Sequence, residues 1–126
     1  MKRGIFGLCT LLVFLFLGLW GSYAMGDFHG PISDSLEQAG QAALAGDMAN
    51  AVQTAKAAQR KWENGWSRVA VLADHTPMDE IDGMFARLEM YAQAGNTADF
   101  AAHCNQLAVL ITATAEAHEL SWRNLL

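Results

Sequence analysis

An uncharged stretch from Gly4 to Gly26 constrains this chain more than any other feature. Its 23 residues, wound as a helix, are long enough to cross roughly 30 Å of hydrocarbon. Ile5, Phe6, Leu8, Leu11, Leu12, Val13, Phe14, Leu15, Phe16, Leu17, Leu19 and Trp20 supply its apolar side chains. Trp20 and Tyr23 stand at the far end, where rings with an apolar body and a polar tip favour the membrane interface. The only charges before Asp27 are Lys2 and Arg3, and they are expected to stay cytoplasmic and so direct everything after the stretch outward. A cleaved signal peptide is the competing reading, because Ser22 and Ala24 offer small residues three and one before a cut after Ala24. The apolar run from Ile5 to Trp20 exceeds the usual signal core, which favours a retained anchor that contacts the membrane through residues 5–23. Both readings divide the chain at residue 26. Residues 1–26 form the anchor or signal, and residues 27–126 form a domain on the far side.

The charge of that domain narrows its partners. Of the eight Lys and Arg residues, two precede the apolar stretch, leaving six against thirteen Asp and Glu, a net charge of −7. Nucleic acid is excluded, because affinity for phosphates comes mainly from Lys and Arg. The two cysteines, Cys9 and Cys104, lie in different environments and cannot pair within the chain. Cys104 is expected to be a small buried hydrophobe, the usual state of a free cysteine.

Beyond Gly30-Pro31, which is read as the break between anchor and domain, apolar residues recur at helical spacing with no period-two alternation. The first domain helix is predicted from Ser33 to Ala45, with Leu36, Ala39, Ala43 and Leu44 facing inward. Gly46 suits a left-handed stop and Asp47 an N-cap. The second helix carries Met48, Ala51, Ala55, Ala58, Trp62, Trp66 and Val69, and ends near Asp74-His75. Thr76-Pro77 supplies a cap and a first-turn proline for the third, with Ile81, Met84 or Phe85, Leu88 and Tyr91 or Ala92 inward. Gly95 and Asn96 then introduce a fourth, striped by Phe100, Cys104, Leu107, Ile111, Ala115, His118, Trp122 and Leu125. Four amphipathic helices joined by short turns predict an all-α, antiparallel four-helix bundle made of two helical hairpins. Residues 43–50 and 92–99 also echo each other at an offset of 49, each placing Gly, a polar cap and a second polar residue in the same order.

Few residues suggest chemistry. Asp74, His75, Asp79, Glu80 and Asp82 cluster at the turn between the second and third helices. Carboxylates beside an imidazole can bind a divalent metal or move protons, and level counting along the bundle brings His118 near His75. A metal- or small-ligand site of His75, Glu80 and His118 is therefore the alternative to a purely structural domain. Helix-end electrostatics account for the same residues without a ligand, since an imidazole suits a helix C-terminus and carboxylates suit a first turn. Trp62 and Trp66, one turn apart, suit either an aromatic platform or the core, and a stripe at that spacing favours the core. His29 falls in the presumed loop. Lys56, Arg60, Lys61 and Arg68 give the second helix a basic side, opposite the acidic third helix. No haem-attachment motif, phosphate-binding glycine loop or nucleophile elbow is present. No cofactor and no enzymatic activity are expected.

The basic N-terminus and single anchor, Gly46-Asp47, Trp62 and Trp66, Asp74-His75 followed by Asp79-Glu80-Ile81-Asp82, and Asn124 together resemble an uncharacterised bacterial family. It is a domain-of-unknown-function family of short, anchored helical proteins found mostly in anaerobic, spore-forming Firmicutes. The resemblance implies the architecture and topology and carries no established activity. The expected role is a membrane-anchored, extracytoplasmic interaction or scaffold module of the cell envelope, binding a protein partner or itself. Level counting also sends the end of the fourth helix, with Trp122, Leu125 and Leu126, past the second turn toward the anchor.

Overall fold

The computed structural model describes the backbone of residues 1–69 and 76–125, and the side chains of residues 1–20, 29–67, 78–117, 120 and 124. Among the described residues the chain is all-α, with helices α1 (Lys2–Leu44), α2 (Met48–Val69), α3 (Thr76–Gln93) and α4 (Thr97–Leu125) and no strand. Among the described residues one helical segment, Lys2–Trp20, is long and apolar enough to cross a membrane, as an anchor or a signal sequence would be. Its large apolar side chains are exposed along its whole length. Thr10, the only hydroxyl in that segment, donates to the Phe6 carbonyl at 2.8 Å. A polar group facing hydrocarbon needs such a partner within its own helix.

The break expected at Gly30-Pro31 does not occur. α1 continues through Pro31, and the inward stripe starts before it, with His29, Ile32, Ser33, Leu36, Ala39, Gly40 and Ala43 all buried. A proline inside a helix costs roughly 3 kcal/mol, but burying a side chain such as Ile or Leu returns about 1.5–3 kcal/mol. Packing on both sides of Pro31 therefore offsets the lost N–H. His29, expected in a loop, is in this helix and only 3% exposed. Leu44, expected to face inward, is 71% exposed, because the stripe that includes Leu36, Gly40 and Ala43 leaves it on the adjoining face.

The two tight turns are built alike. After α1, Gly46 takes a positive φ of 87°, the Gly46 N–H donates to the Ala43 carbonyl, and the Asp47 N–H donates to that of Ala42. After α3, Gly95 has a φ of 69°, the Gly95 N–H donates to the Ala92 carbonyl, and the Asn96 N–H donates to that of Tyr91. Both patterns satisfy helix-end carbonyls through a left-handed residue, which glycine adopts without a Cβ clash. Asp47 then accepts from the Asn50 N–H at 3.2 Å, and Asn96 from the Asp99 N–H at 3.3 Å. The Asn96 amide donates in return to the Asp99 carboxylate. The 49-residue echo is thus one turn chemistry used twice.

α1 is the central element of the domain. It packs along both α2 and α4, α3 packs on α4, and α2 and α3 touch each other little. Small residues on α1 and α2 (Ala39, Ala43, Ala51, Ala58) let the backbones approach, and Trp62, Phe100, Ile32, Leu36, Ile81, Leu107 and Ile111 fill the space between them. The Ser33 hydroxyl donates to the Ala108 carbonyl at 3.0 Å and lies 3.0 Å from the Thr112 hydroxyl. Seven residues further along α1, Gly40 faces Ala101 and Cys104. Contacts on α4 therefore move back toward its start as those on α1 advance.

At Gly40 the two helices approach closely. A Cβ there would lie 3.3 Å from the Ala101 carbonyl oxygen and 3.4 Å from the Cys104 Cβ, and backbone cannot swing aside as a flexible side chain can. Gly40→Leu is expected to destabilise the domain by about 1–3 kcal/mol through overpacking. Gly40→Ala should be near neutral, because a helix-propensity gain of up to about 1 kcal/mol offsets the tight contact. Urea denaturation of the full chain in detergent, followed by helical circular dichroism, reads both. Unchanged stability in Gly40→Leu would show that α1 and α4 are further apart.

Candidate functional site

A cluster around Trp62 ties three helices together. Its indole is fully buried, stacks on Trp66 at 6.5 Å and 5° between planes, and meets the His29 ring edge-on at 6.0 Å. Its Nε1–H donates to Asp82 Oδ1 at 3.0 Å. α1 supplies His29, α2 the tryptophans and α3 the carboxylate. The tryptophan pair is therefore core, as its spacing suggested, with Trp66 half-buried against it.

The acidic turn picked out from the sequence is only partly described. His75 and Asp74, and the side chain of His118, lie outside the described residues. Glu80 and Asp79 are exposed on the first turns of α3, where the helix dipole favours carboxylates. Asp82, counted in the same cluster, faces Trp62 instead. Among the described residues no group of three or more His, Cys, Asp or Glu side chains is arranged to hold a metal ion. Cys104 is 0% exposed, and burial pushes its thiol up to about 12, so it is protonated and unreactive at neutral pH.

His103, beside Cys104 but one position off the inward stripe of α4, is half-buried. The Tyr91 ring of α3 meets it edge-on at 5.3 Å, and its Nε2 is buried without a hydrogen-bond partner. Burial lowers its pKa below the ordinary 6.5, Arg87 lowers it further, and Asp99, one turn earlier on α4, pulls in the opposite direction. A histidine held low in the folded state contributes stability at pH values above 6.5 and loses it as pH falls through the folded value. Acidification from pH 7 to 5 is therefore expected to lower the urea midpoint, and His103→Gln should flatten that part of the profile. An identical pH profile for both proteins would rule out His103 as the cause.

Because α3 leans on α4 and α2 on α1, a half-open groove of about 240 Å³ remains between α2 and α3. Val52, Ala55, Phe85, Leu88, Ala92 and Phe100 make it apolar, and Lys56, Gln59, Glu89 and Gln93 edge it. Sequence reasoning placed these basic and acidic faces against each other. Helical periodicity says which side chains face inward but not which neighbouring helices separate. The groove can take an apolar side chain or a small amphipathic molecule, with Lys56 and Glu89 as opposite charges at its rim.

No curated protein and no solved structure matches the chain. A family model described as a domain of unknown function (DUF4363) matches residues 19–125, from the end of the apolar segment through the last helix, and the chain belongs to that family.

Proposed function

We propose that the chain is a single-pass membrane protein with a cytoplasmic N-terminus. Residues 27–126 form an antiparallel four-helix bundle outside the cytoplasm and serve as a non-enzymatic interaction module of the cell envelope. The observation that carries this reading is the continuity of α1. Residues 4–20 are uncharged, with their large apolar side chains exposed, and residues 29–43 of the same helix are the centre of the core. A helix that is anchor at one end and core at the other holds the domain at a set height above the bilayer. The buried, protonated Cys104 and the capping roles open to Asp79 and Glu80 are what a scaffold would carry. The groove between α2 and α3 is the surface offered to a partner.

Two measurements on intact cells test this. A cysteine placed at the exposed Asn105 should react with an impermeant maleimide from outside, and protection until lysis would reverse the orientation. A photo-crosslinking residue at Gln59 or Gln93, on the groove edge, should give one discrete protein adduct that the same residue at the distant, exposed Glu37 does not. Identical patterns at groove and control positions would sink the interaction reading.

A further inference from the structure

We infer that the last turns of α4 form a second membrane contact, lying in the outer interface beside the point where α1 leaves the bilayer. The inference rests on the anchor reading above. Ser33 on α1 and Thr112 on α4 are level, their hydroxyls 3.0 Å apart, and the two helices run past each other in opposite senses. From Ser33, the end of the membrane-length segment at Trp20 is thirteen residues back along α1. From Thr112, the end of α4 at Leu125 is thirteen residues onward. At 1.5 Å per residue both distances are roughly 20 Å, so α4 ends at the height of Trp20. A bend at Pro31 would tilt one segment but change this height little, since projection on the axis falls slowly at small angles.

Composition along α4 changes where that height is reached. Leu120 is 58% exposed and sits five residues short of the end, about 7 Å above it and at the outer edge of a headgroup layer. Trp122, Leu125 and Leu126 follow, and Arg123 is the only Lys or Arg after Arg87. Tryptophan, leucine and a single cation beside them are the residue types that settle where hydrocarbon meets phosphate. The rest of the domain is acidic and is repelled from an anionic surface, so the contact is confined to this tip. Held by an anchor on one helix and a tip on another, the domain cannot swivel about α1.

The full chain, with Cys9→Ala to remove the exposed thiol and Cys104 left buried, is reconstituted in phosphatidylcholine vesicles. A bimane label is attached through Leu125→Cys, Asn105→Cys or Val13→Cys, and quenching by lipids brominated near the headgroup end of their acyl chains is measured. Quenching at position 125 is expected to exceed that at 105 by at least about twofold, in line with the depth difference, while position 13 is quenched as an anchor residue should be. If position 13 is quenched and 125 behaves like 105, the tip is not in the interface and the proposal is overturned, with the anchor reading intact. If position 13 is not quenched either, the anchor reading fails and takes this proposal with it.

Discussion

Replacing Trp62 with alanine is expected to cost about 3–5 kcal/mol of domain stability. That is a large part of the roughly 5–15 kcal/mol a small domain has in total. The indole is fully buried, it joins α1 through His29 and α3 through Asp82, and α2 and α3 share few other contacts. Its removal leaves a cavity and separates α3 from α2, so the groove between them should lose definition together with the core. A fall in the thermal midpoint at about 4–8 °C per kcal/mol makes the loss easy to read by circular dichroism of the full chain in detergent. Trp62→Phe, which keeps most of the volume and loses the hydrogen bond, should cost markedly less, because the released Asp82 carboxylate reaches water. A loss under about 1 kcal/mol for the alanine variant would contradict a core role, since truncating an exposed platform removes little burial.

Leu12→Arg is expected to weaken membrane insertion by about 3–4 kcal/mol, a difference of two to three orders of magnitude in the insertion equilibrium. Leu12 is 53% exposed midway along Lys2–Trp20, a segment of α1 with nothing of its own domain packed against it. The matched control is Leu44→Arg. Leu44 is 71% exposed near the other end of the same helix, where the surroundings are water, so an arginine there should leave membrane retention unchanged. Carbonate extraction followed by immunoblotting compares the two. Retention of Leu12→Arg at the level of the unmodified chain would mean that this face of α1 does not meet lipid. The apparent mass of the unmodified chain, with or without its first 24 residues, separates an anchor from a cleaved signal in the same experiment.

Most of the helix content was legible in the residues. Among the described residues, the stripes predicted on α2, α3 and α4 are buried at Ala51, Ala55, Ala58, Trp62, Ile81, Phe85, Leu88, Phe100, Cys104, Leu107 and Ile111, with Met48, Trp66 and Ala115 half-buried, while the side chains of Val69, His118, Trp122 and Leu125 lie outside the described residues. The turns at Gly46-Asp47 and Gly95-Asn96 were legible because cap chemistry is local. It needs only a residue free to take a positive φ and an oxygen three residues before an orphan N–H. Pro31 was misread for the complementary reason. Its local cost is real, but the burial of His29, Ile32 and Ser33 around it is a tertiary quantity. The candidate site was legible less far. Asp82 was counted with an acidic turn on grounds of charge, whereas its partner is an indole twenty positions earlier on another helix.

By itself, then, the sequence determined an apolar N-terminal segment of membrane length, the helices of the domain, two matched turns and most of the inward positions, Leu44 excepted. All of these follow from hydrophobic period and end chemistry within a few residues of one another. Only the tertiary structure decided that the apolar segment and the core share one helix, that Trp62 bridges α1 and α3, and that α2 and α3 part to leave a groove. Those outcomes depend on which helices lie side by side and at what height. That is settled by the fit of small residues such as Gly40 against Ala101, and of Ser33 against Thr112, over separations of sixty residues and more. No local pattern encodes it, because the favourable term is the burial shared between two distant segments.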